Sequence, residues 1–179
     1  TIIPRGMAGG YTMMLPKEEK IAIATKSELL ASITGLLGGR VSEELYFGEI
    51  STGASDDFSK ATKIARSMVT EYGMSDLGPV QLEHKEEGVF LGRDYNKTRN
   101  FSDAVALEID EEVRKIVNEC YKKATKILKD NKDLVMLLSD TLIEKETITK
   151  EEIEELVKTG KLSSKETKDT KKEETKDEK

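Results

Sequence analysis

Two adjacent carboxylates, Asp56 and Asp57, open an apolar-periodic stretch in the segment STGASDDFSKATKIARSMVTEYG, residues 51–73. Side chains of this type can bind a metal ion, transfer a proton or cap a helix. Capping is a complete physical explanation, because carboxylates at a helix N-terminus meet unpaired N–H groups and the positive end of the helix dipole. The preceding residues TGAS favour a ligand role instead, since small residues let another element pack closely and bury a carboxylate. The residues alone leave both alternatives open.

The other candidates for chemistry are weak. His84 is the only histidine, and its place in a predicted loop favours a surface residue over a base or a ligand. Cys120, the only cysteine, lies on the apolar stripe of a predicted helix, where a buried hydrophobe is expected. The sequence has no G-x-x-x-x-G-K-[ST] phosphate loop. Its net charge of −6 argues against nucleic-acid binding, and no apolar run approaches the roughly 20 residues of a membrane span.

The apolar periodicity predicts a mainly α fold with a small N-terminal β element. Thr25 with Glu28, and Thr149 with Glu152, have the spacing of a capping box at a helix start. Residues 1–16 predict two short extended pieces around a Gly-rich turn, and residues 74–101 predict a loop. The predicted helices run from Thr25 to Gly48, Asp56 to Tyr72, Asp103 to Asp130, Asp133 to Glu144, and Thr149 to Val157.

Composition divides the chain into a domain over residues 1–158 and a charged tail over 159–179. The tail contains a single Leu and no aromatic residue, so it is predicted to be disordered. Within the first predicted helix, Gly38 and Gly39 each cost about 1 kcal/mol relative to Ala. We interpret them as sites where a neighbouring helix approaches closely, rather than as a hinge.

From Thr1 to about Leu156, the sequence resembles the FtsH family, the membrane-anchored ATP-dependent zinc proteases of peptidase family M41. The resemblance covers most of the predicted ordered chain. The matching stretches are TIIPRGMAGGYTMMLP, LLGGRVSEELYFGEISTGASDDFSKATKIARSMVTEYGMSDLGPV, FLGRDY, EIDEEVRKIVNECYKKATKIL and LIEKETI.

This resemblance implies that Asp57 is a zinc ligand. The family holds zinc by two histidines of an H-E-x-x-H helix and by the last aspartate of a GAS-[ND]-D segment, where Asp56 takes the position that is commonly Asn. Glu43 matches the glutamate of GGR-x-x-E-E, which supports the zinc-binding histidines from outside the metal's own ligands. The edge strand expected to hold a substrate backbone contains Tyr11, Thr12 and Met13.

The resemblance also implies what this chain lacks. In the family, the H-E-x-x-H helix lies just upstream of the segment that begins here at Thr1, and an ATPase domain with ATP and Mg²⁺ and a membrane anchor lie further upstream. We therefore expect no catalytic residue in this chain, no peptidase activity of the isolated chain and weak Zn²⁺ binding. Without the missing helix, an apolar patch near Leu36, Leu37 and Ala54 is expected to be exposed.

The intact protein is then expected to be a homo-hexamer in a bacterial plasma membrane, with its peptidase domain on the cytoplasmic side. Its substrates would be proteins and peptides, with no nucleic-acid partner. The alternative is a non-catalytic helical oligomerisation module, or a degenerate partner subunit of a protease. An H-E-x-x-H motif shortly before Thr1 would favour the enzyme over either alternative.

Overall fold

The computed structural model describes residues 1–3, 23–83 and 101–161. Helices joined by turns and short loops make up these ranges, and no strand occurs among them. The predicted mainly α fold class is confirmed. The predicted β element, including Tyr11, Thr12 and Met13, falls mostly outside the described residues, as does His84.

The described chain forms two compact units. The larger unit contains residues 23–83 and 101–131, and the smaller contains residues 1–3 and 132–161. The elements, in chain order, are α1 (Lys26–Leu36), α2 (Gly38–Ser42), a π-helical turn (Glu43–Phe47), a 3₁₀ turn (Thr52–Ala54), α3 (Ser55–Thr70), α4 (Asp103–Asp130), α5 (Lys132–Lys145) and α6 (Lys150–Thr159).

Both predicted capping boxes form. The Thr25 side chain accepts a hydrogen bond from the amide of Glu28, whose carboxylate accepts one from the Thr25 amide at 2.9 Å. The same exchange joins Thr149 and Glu152 at the start of α6. Each box satisfies two backbone N–H groups that a helix start leaves unpaired. The predicted starts of these helices are therefore confirmed.

The predicted helix from Thr25 to Gly48 is interrupted at Leu37, which lies in a turn between α1 and α2. A Cβ added at Gly38 or Gly39 would meet no described atom within 4 Å. The interpretation of these glycines as sites of close helix approach is therefore wrong. They open α2 immediately after the break, where their low helix propensity accompanies an interruption instead of a tight contact.

The core of the larger unit lies where α3 packs against α1 and α4. Ala61 and Ala65, one turn apart on α3, are fully buried. Their small side chains let the neighbouring helices come close, and larger apolar side chains fill the space around them. The core residues are Ile33, Leu37, Ala61, Ala65, Met68, Val69, Ile109, Ile116 and Cys120.

This core corrects the expected apolar patch. Leu37 is 1% exposed and Ala54 is 6% exposed, while Leu36 packs partly buried against the core. Leu37 belongs to the same buried cluster as residues of α3 and α4. These helices therefore cover the surface that was expected to need the missing helix.

The C-terminal end of α3 is held by contacts with the chain that follows it. Gly73 has a φ of +58°, and a Cβ there would lie 2.9 Å from the Cα of Pro79. The Thr70 carbonyl accepts a hydrogen bond from the Glu83 amide at 3.1 Å. Arg66 donates to the Glu83 carboxylate at 2.7 Å. At residue 73, only glycine can adopt the positive φ and also leave room for Pro79.

The smaller unit is built from α5 and α6, which pack against each other. Leu156 of α6 is 2% exposed and Thr141 of α5 is 9% exposed. The amide of Ile2 donates to the carbonyl of Glu146 at 2.9 Å, which joins the first residues of the chain to the end of α5. α6 ends at Thr159, two residues beyond its predicted end, and residues 162–179 of the predicted tail lie outside the described ranges.

Substitution of two isoleucines of α4, one buried and one exposed, tests which face of the helix contributes to the core. Ile109 is fully buried and Ile127 is 46% exposed. Ile109→Ala should lower the free energy of unfolding by about 2–5 kcal/mol, because it removes buried surface and leaves a cavity. Ile127→Ala, the matched control, should cost less than about 1 kcal/mol. Urea denaturation followed by circular dichroism measures both, and equal losses would contradict this core.

Candidate functional site

The segment that leads into α3 is shaped by Ser51. Its backbone is extended, and its side-chain oxygen accepts a hydrogen bond from the Gly53 amide at 3.1 Å. The 3₁₀ turn that follows ends at Ala54, which is 6% exposed and takes the N-cap position of α3. Ala54 makes no side-chain capping bond, so Ser51 caps the preceding turn while α3 starts uncapped by a side chain.

Asp56 and Asp57 lie in the first turn of α3, in different surroundings. The Asp56 side chain is 74% exposed and pairs with Lys60 at 2.6 Å. Asp57 is half-buried and has no ion pair with any cation in the described part of the chain. Both lie at the helix start, as the capping alternative has it, where they face the positive end of the helix dipole, although Ala54 takes the N-cap position itself. The structure therefore gives different surroundings to two residues that are equivalent by residue type alone.

Glu43, in the π-helical turn, contacts Ser51 twice. Its carboxylate accepts a hydrogen bond from the Ser51 hydroxyl at 2.5 Å and another from the Ser51 amide at 3.1 Å. The Arg40 Nε lies 3.4 Å from the same carboxylate. The hydroxyl bond, the amide bond and the Arg40 charge hold the pKa of Glu43 below its ordinary value. Glu43 thus supports the segment that carries Asp57.

Arg40 was not singled out by the sequence, yet it connects these elements. Its Nη2 donates to the Ser51 carbonyl at 2.5 Å, and its guanidinium carbon lies 5.1 Å from the centre of the Phe58 ring. The only signal in the sequence was its spacing, three residues before Glu43 on one helical face. Its contacts with Ser51 and Phe58 join residues far apart in the chain, which such spacing does not predict.

An open cavity of about 750 Å³ lies beside these residues. At the edge of this cavity, the Tyr121 hydroxyl donates a hydrogen bond to the Glu44 carboxylate. Burial has the largest effect on the pKa of Tyr121 and the bond to Glu44 the next, and together they raise it to about 12. Tyr121 is therefore neutral at physiological pH and acts there as a hydrogen-bond donor. The cavity is lined by Arg40, Glu44, Gly48, Glu49, Ile50, Phe58 and Tyr121.

Cys120 is confirmed as a buried core residue. It is 3% exposed, and its sulfur lies 3.6 Å from the Leu30 carbonyl oxygen. Burial raises the pKa of its thiol, which opposes the thiolate form that a nucleophile requires.

The described ranges contain no group of three or more metal-binding side chains. None of their helices combines the length and the apolar character that a membrane crossing requires. Asp57 therefore belongs to no complete ligand set within these ranges.

Comparison with known proteins decides the family. The family model of Peptidase family M41 matches residues 1–156. The chain belongs to peptidase family M41. This M41 chain is 60% identical over 162 residues to the ATP-dependent zinc metalloprotease FtsH of Acholeplasma laidlawii, covering 90% of the chain and 25% of that protein.

Two further relatives carry the same protein name. The M41 chain is 54% identical over 164 residues to the ATP-dependent zinc metalloprotease FtsH of Bacillus subtilis, covering 90% of the chain and 26% of that protein. It is 57% identical over 164 residues to the protein of the same name from Alkalihalophilus pseudofirmus, with 90% and 24% covered. The M41 chain spans about a quarter of the length of these relatives, and the resemblance inferred from its motifs is confirmed.

The residues of this M41 chain fit part of a zinc site. A carboxylate oxygen is a suitable Zn²⁺ ligand beside imidazole nitrogens. Asp57 offers such an oxygen from a half-buried position at a helix start, and Lys60 engages its neighbour Asp56. The described residues thus include one candidate ligand and the contacts that hold its segment, not a complete set.

The lowered pKa of Glu43 predicts a pH dependence of stability. The fold favours the carboxylate form, so its contribution is present above the ordinary pKa of 4.5 and is lost as the pH falls through the lower folded value. Glu43→Gln should therefore lower the melting temperature at pH 7, and this difference from wild type should shrink below about pH 4.5. Melting curves between pH 7 and pH 3 measure it.

Glu49→Gln provides the control, because Glu49 is an exposed carboxylate in the chain just after the π-helical turn. Its effect on the melting temperature should be small throughout this pH range. A Glu43→Gln difference that stays constant down to pH 3 would contradict the role of the charged carboxylate.

Proposed function

We propose that this chain is the peptidase part of a longer ATP-dependent zinc metalloendopeptidase that degrades membrane and cytosolic proteins. The observation that carries the proposal is the match to Peptidase family M41 over residues 1–156. That range includes the start of α3, where Asp57 is half-buried and Asp56 is engaged by Lys60. The names of the similar relatives, each an ATP-dependent zinc metalloprotease, support the same activity.

In this mechanism Asp57 is one of three protein ligands to Zn²⁺, and two histidines upstream of Thr1 are the others. A zinc ion held there would supply Lewis-acid chemistry, lowering the pKa of a water so that it can attack a peptide carbonyl. Asp57 contributes a negative charge and a fixed oxygen from the first turn of α3. Glu43 holds that turn in place through Ser51, whose amide and hydroxyl it binds. The base that takes the proton from the water is the glutamate of the upstream H-E-x-x-H motif.

Substrate binding and assembly complete the proposal. The segment that contains Tyr11, Thr12 and Met13, which lies outside the described residues, takes the substrate-binding role in this proposal, pairing with the backbone of an extended substrate. The ATPase domain, with ATP and Mg²⁺, delivers substrates, and a membrane anchor precedes it. The full-length protein assembles as a homo-hexamer in a bacterial plasma membrane, with the peptidase domain on the cytoplasmic side.

The proposal is tested by Asp57→Ala and Asp57→Asn in the full-length protein. Both should reduce bound zinc from about one per subunit to nearly none and abolish casein digestion, because the metal loses one of its three protein ligands. Zinc is measured by mass spectrometry of the purified protein. The matched control is Asp56→Asn, which removes only an exposed charge paired with Lys60 and should leave zinc and activity nearly unchanged.

Three outcomes would contradict the proposal. Asp57→Ala with normal zinc and activity would refute the ligand assignment. Equal damage from Asp56→Asn and Asp57→Asn would favour a shared role at the helix start. Chelator-sensitive casein digestion by the purified 179-residue chain would show that the upstream ligands are not needed.

A further inference from the structure

We propose that Arg40 is a positioning residue for the metal ligand, acting through the backbone of Ser51 and the ring of Phe58. This inference rests on the proposed function, in which Asp57 binds zinc. It concerns a set of contacts that we name the Ser51 clasp, formed by Arg40, Glu43 and Ser51. The Ser51 clasp connects the turn after α2 to the start of α3.

The guanidinium of Arg40 contacts both sides of the segment that carries Asp57. Its Nη2 donates to the Ser51 carbonyl at 2.5 Å, which lies before the 3₁₀ turn. Its guanidinium carbon lies 5.1 Å from the centre of the Phe58 ring, directly after Asp57. The side chain is only 15% exposed, so water screens these contacts less than it would on an open surface. One planar cation thereby restrains both ends of residues 51–58.

Glu43 holds Ser51 from the amide side. Its carboxylate accepts bonds from the Ser51 amide at 3.1 Å and from the Ser51 hydroxyl at 2.5 Å, while the Ser51 oxygen accepts one from the Gly53 amide at 3.1 Å. Arg40 Nε lies 3.4 Å from Glu43 without forming a hydrogen bond. The Ser51 N–H, hydroxyl and C=O are therefore all engaged by side chains of the preceding helical segment.

The start of α3 needs this support because it lacks the usual one. Ala54 at the N-cap position offers no side-chain acceptor to the first N–H groups of the helix. The Ser55 amide donates instead to the Thr52 carbonyl of the 3₁₀ turn, so the position of the first turn of α3, and of a metal ligand in it, depends on how that 3₁₀ turn is held. Zinc ligands must stay within about 0.2 Å of their bonding distance. The Ser51 clasp fixes the entry to the first turn instead.

The geometry requires arginine rather than lysine. A guanidinium is planar, so it can stack on an aromatic ring while an N–H at its edge donates to a carbonyl. The ammonium of lysine is a compact charge on a flexible stem and cannot reproduce both contacts together. Arg40→Lys therefore keeps the positive charge and removes the two contacts that position the segment.

The experiment measures zinc affinity of the full-length protein by competition with a chromophoric chelator. Arg40→Lys should weaken zinc binding by about 10–100-fold, the range typical of residues that orient metal ligands. Ser51→Ala should act in the same direction, and Ser51→Thr, which keeps the hydroxyl, should restore most of the affinity. The control for charge is Lys60→Gln, which removes the cation that pairs with Asp56 and leaves the Ser51 clasp intact, and it should change affinity by less than about two-fold.

A second readout does not depend on zinc. In zinc-free protein, hydrogen exchange of the amides in residues 52–57 should be about 10-fold faster in Arg40→Lys, while the amides of α4 exchange as in wild type. If Arg40→Lys also speeds the exchange of the α4 amides, Phe58→Leu decides the proposal, because it removes the ring that Arg40 contacts and keeps an apolar side chain. Faster exchange confined to residues 52–57 in Phe58→Leu supports the proposal, and wild-type exchange there overturns it.

The outcomes separate this inference from the proposed function. If Asp57→Ala loses its zinc while Arg40→Lys keeps wild-type zinc affinity and wild-type amide exchange, the positioning role of Arg40 is refuted and the proposed function stands. Normal zinc in Asp57→Ala would overturn the function and with it the role in metal binding. Faster exchange at residues 52–57, with weaker zinc binding and no effect of Lys60→Gln, supports the inference.

Discussion

Close packing of α3 against α1 and α4 is the constraint on which the larger unit depends. Ala61 and Ala65 are fully buried at the point of contact, and Met68 and Val69 continue the same face into the core. Alanine allows this approach with little loss of side-chain entropy and no interruption of the helix. A larger residue at either position would separate α3 from its neighbours and move both of its ends.

The two ends of α3 are then fixed by different means. At the C-terminal end, Gly73 turns the chain tightly and Glu83 returns to the last turn of the helix, bonded to Thr70 and Arg66. At the N-terminal end the helix has no side-chain cap, and the Ser51 clasp takes that role. Support from another element, rather than from the helix's own sequence, places the N-terminal turn at a defined position. This is the arrangement that a metal ligand requires, because its oxygen must be held before the metal binds.

Family membership and geometry carry different parts of the functional argument. Membership comes from the match over residues 1–156, whereas the described residues distinguish Asp57 from Asp56 and connect Glu43 to Ser51. The resemblance assigned Glu43 to the support of zinc-binding histidines. The hydrogen bonds from Ser51 to Glu43 add a second role for Glu43, which is to hold the segment that leads into α3.

The sequence by itself determined where α1, α4 and α6 begin, because capping and periodicity act between residues three or four apart, but not the break at Leu37. The capping boxes at Thr25 and Thr149 and the range of α4 are all found where the local pattern predicts them. Its motifs also determined the family, and hence the candidates Asp57 and Glu43. Only the tertiary structure decided which surfaces are covered, as at Leu37 and Ala54, and how Gly38 and Gly39 are used. It alone revealed Arg40, since contacts between residues 40, 51 and 58 depend on how two helical segments pack, which no local spacing encodes.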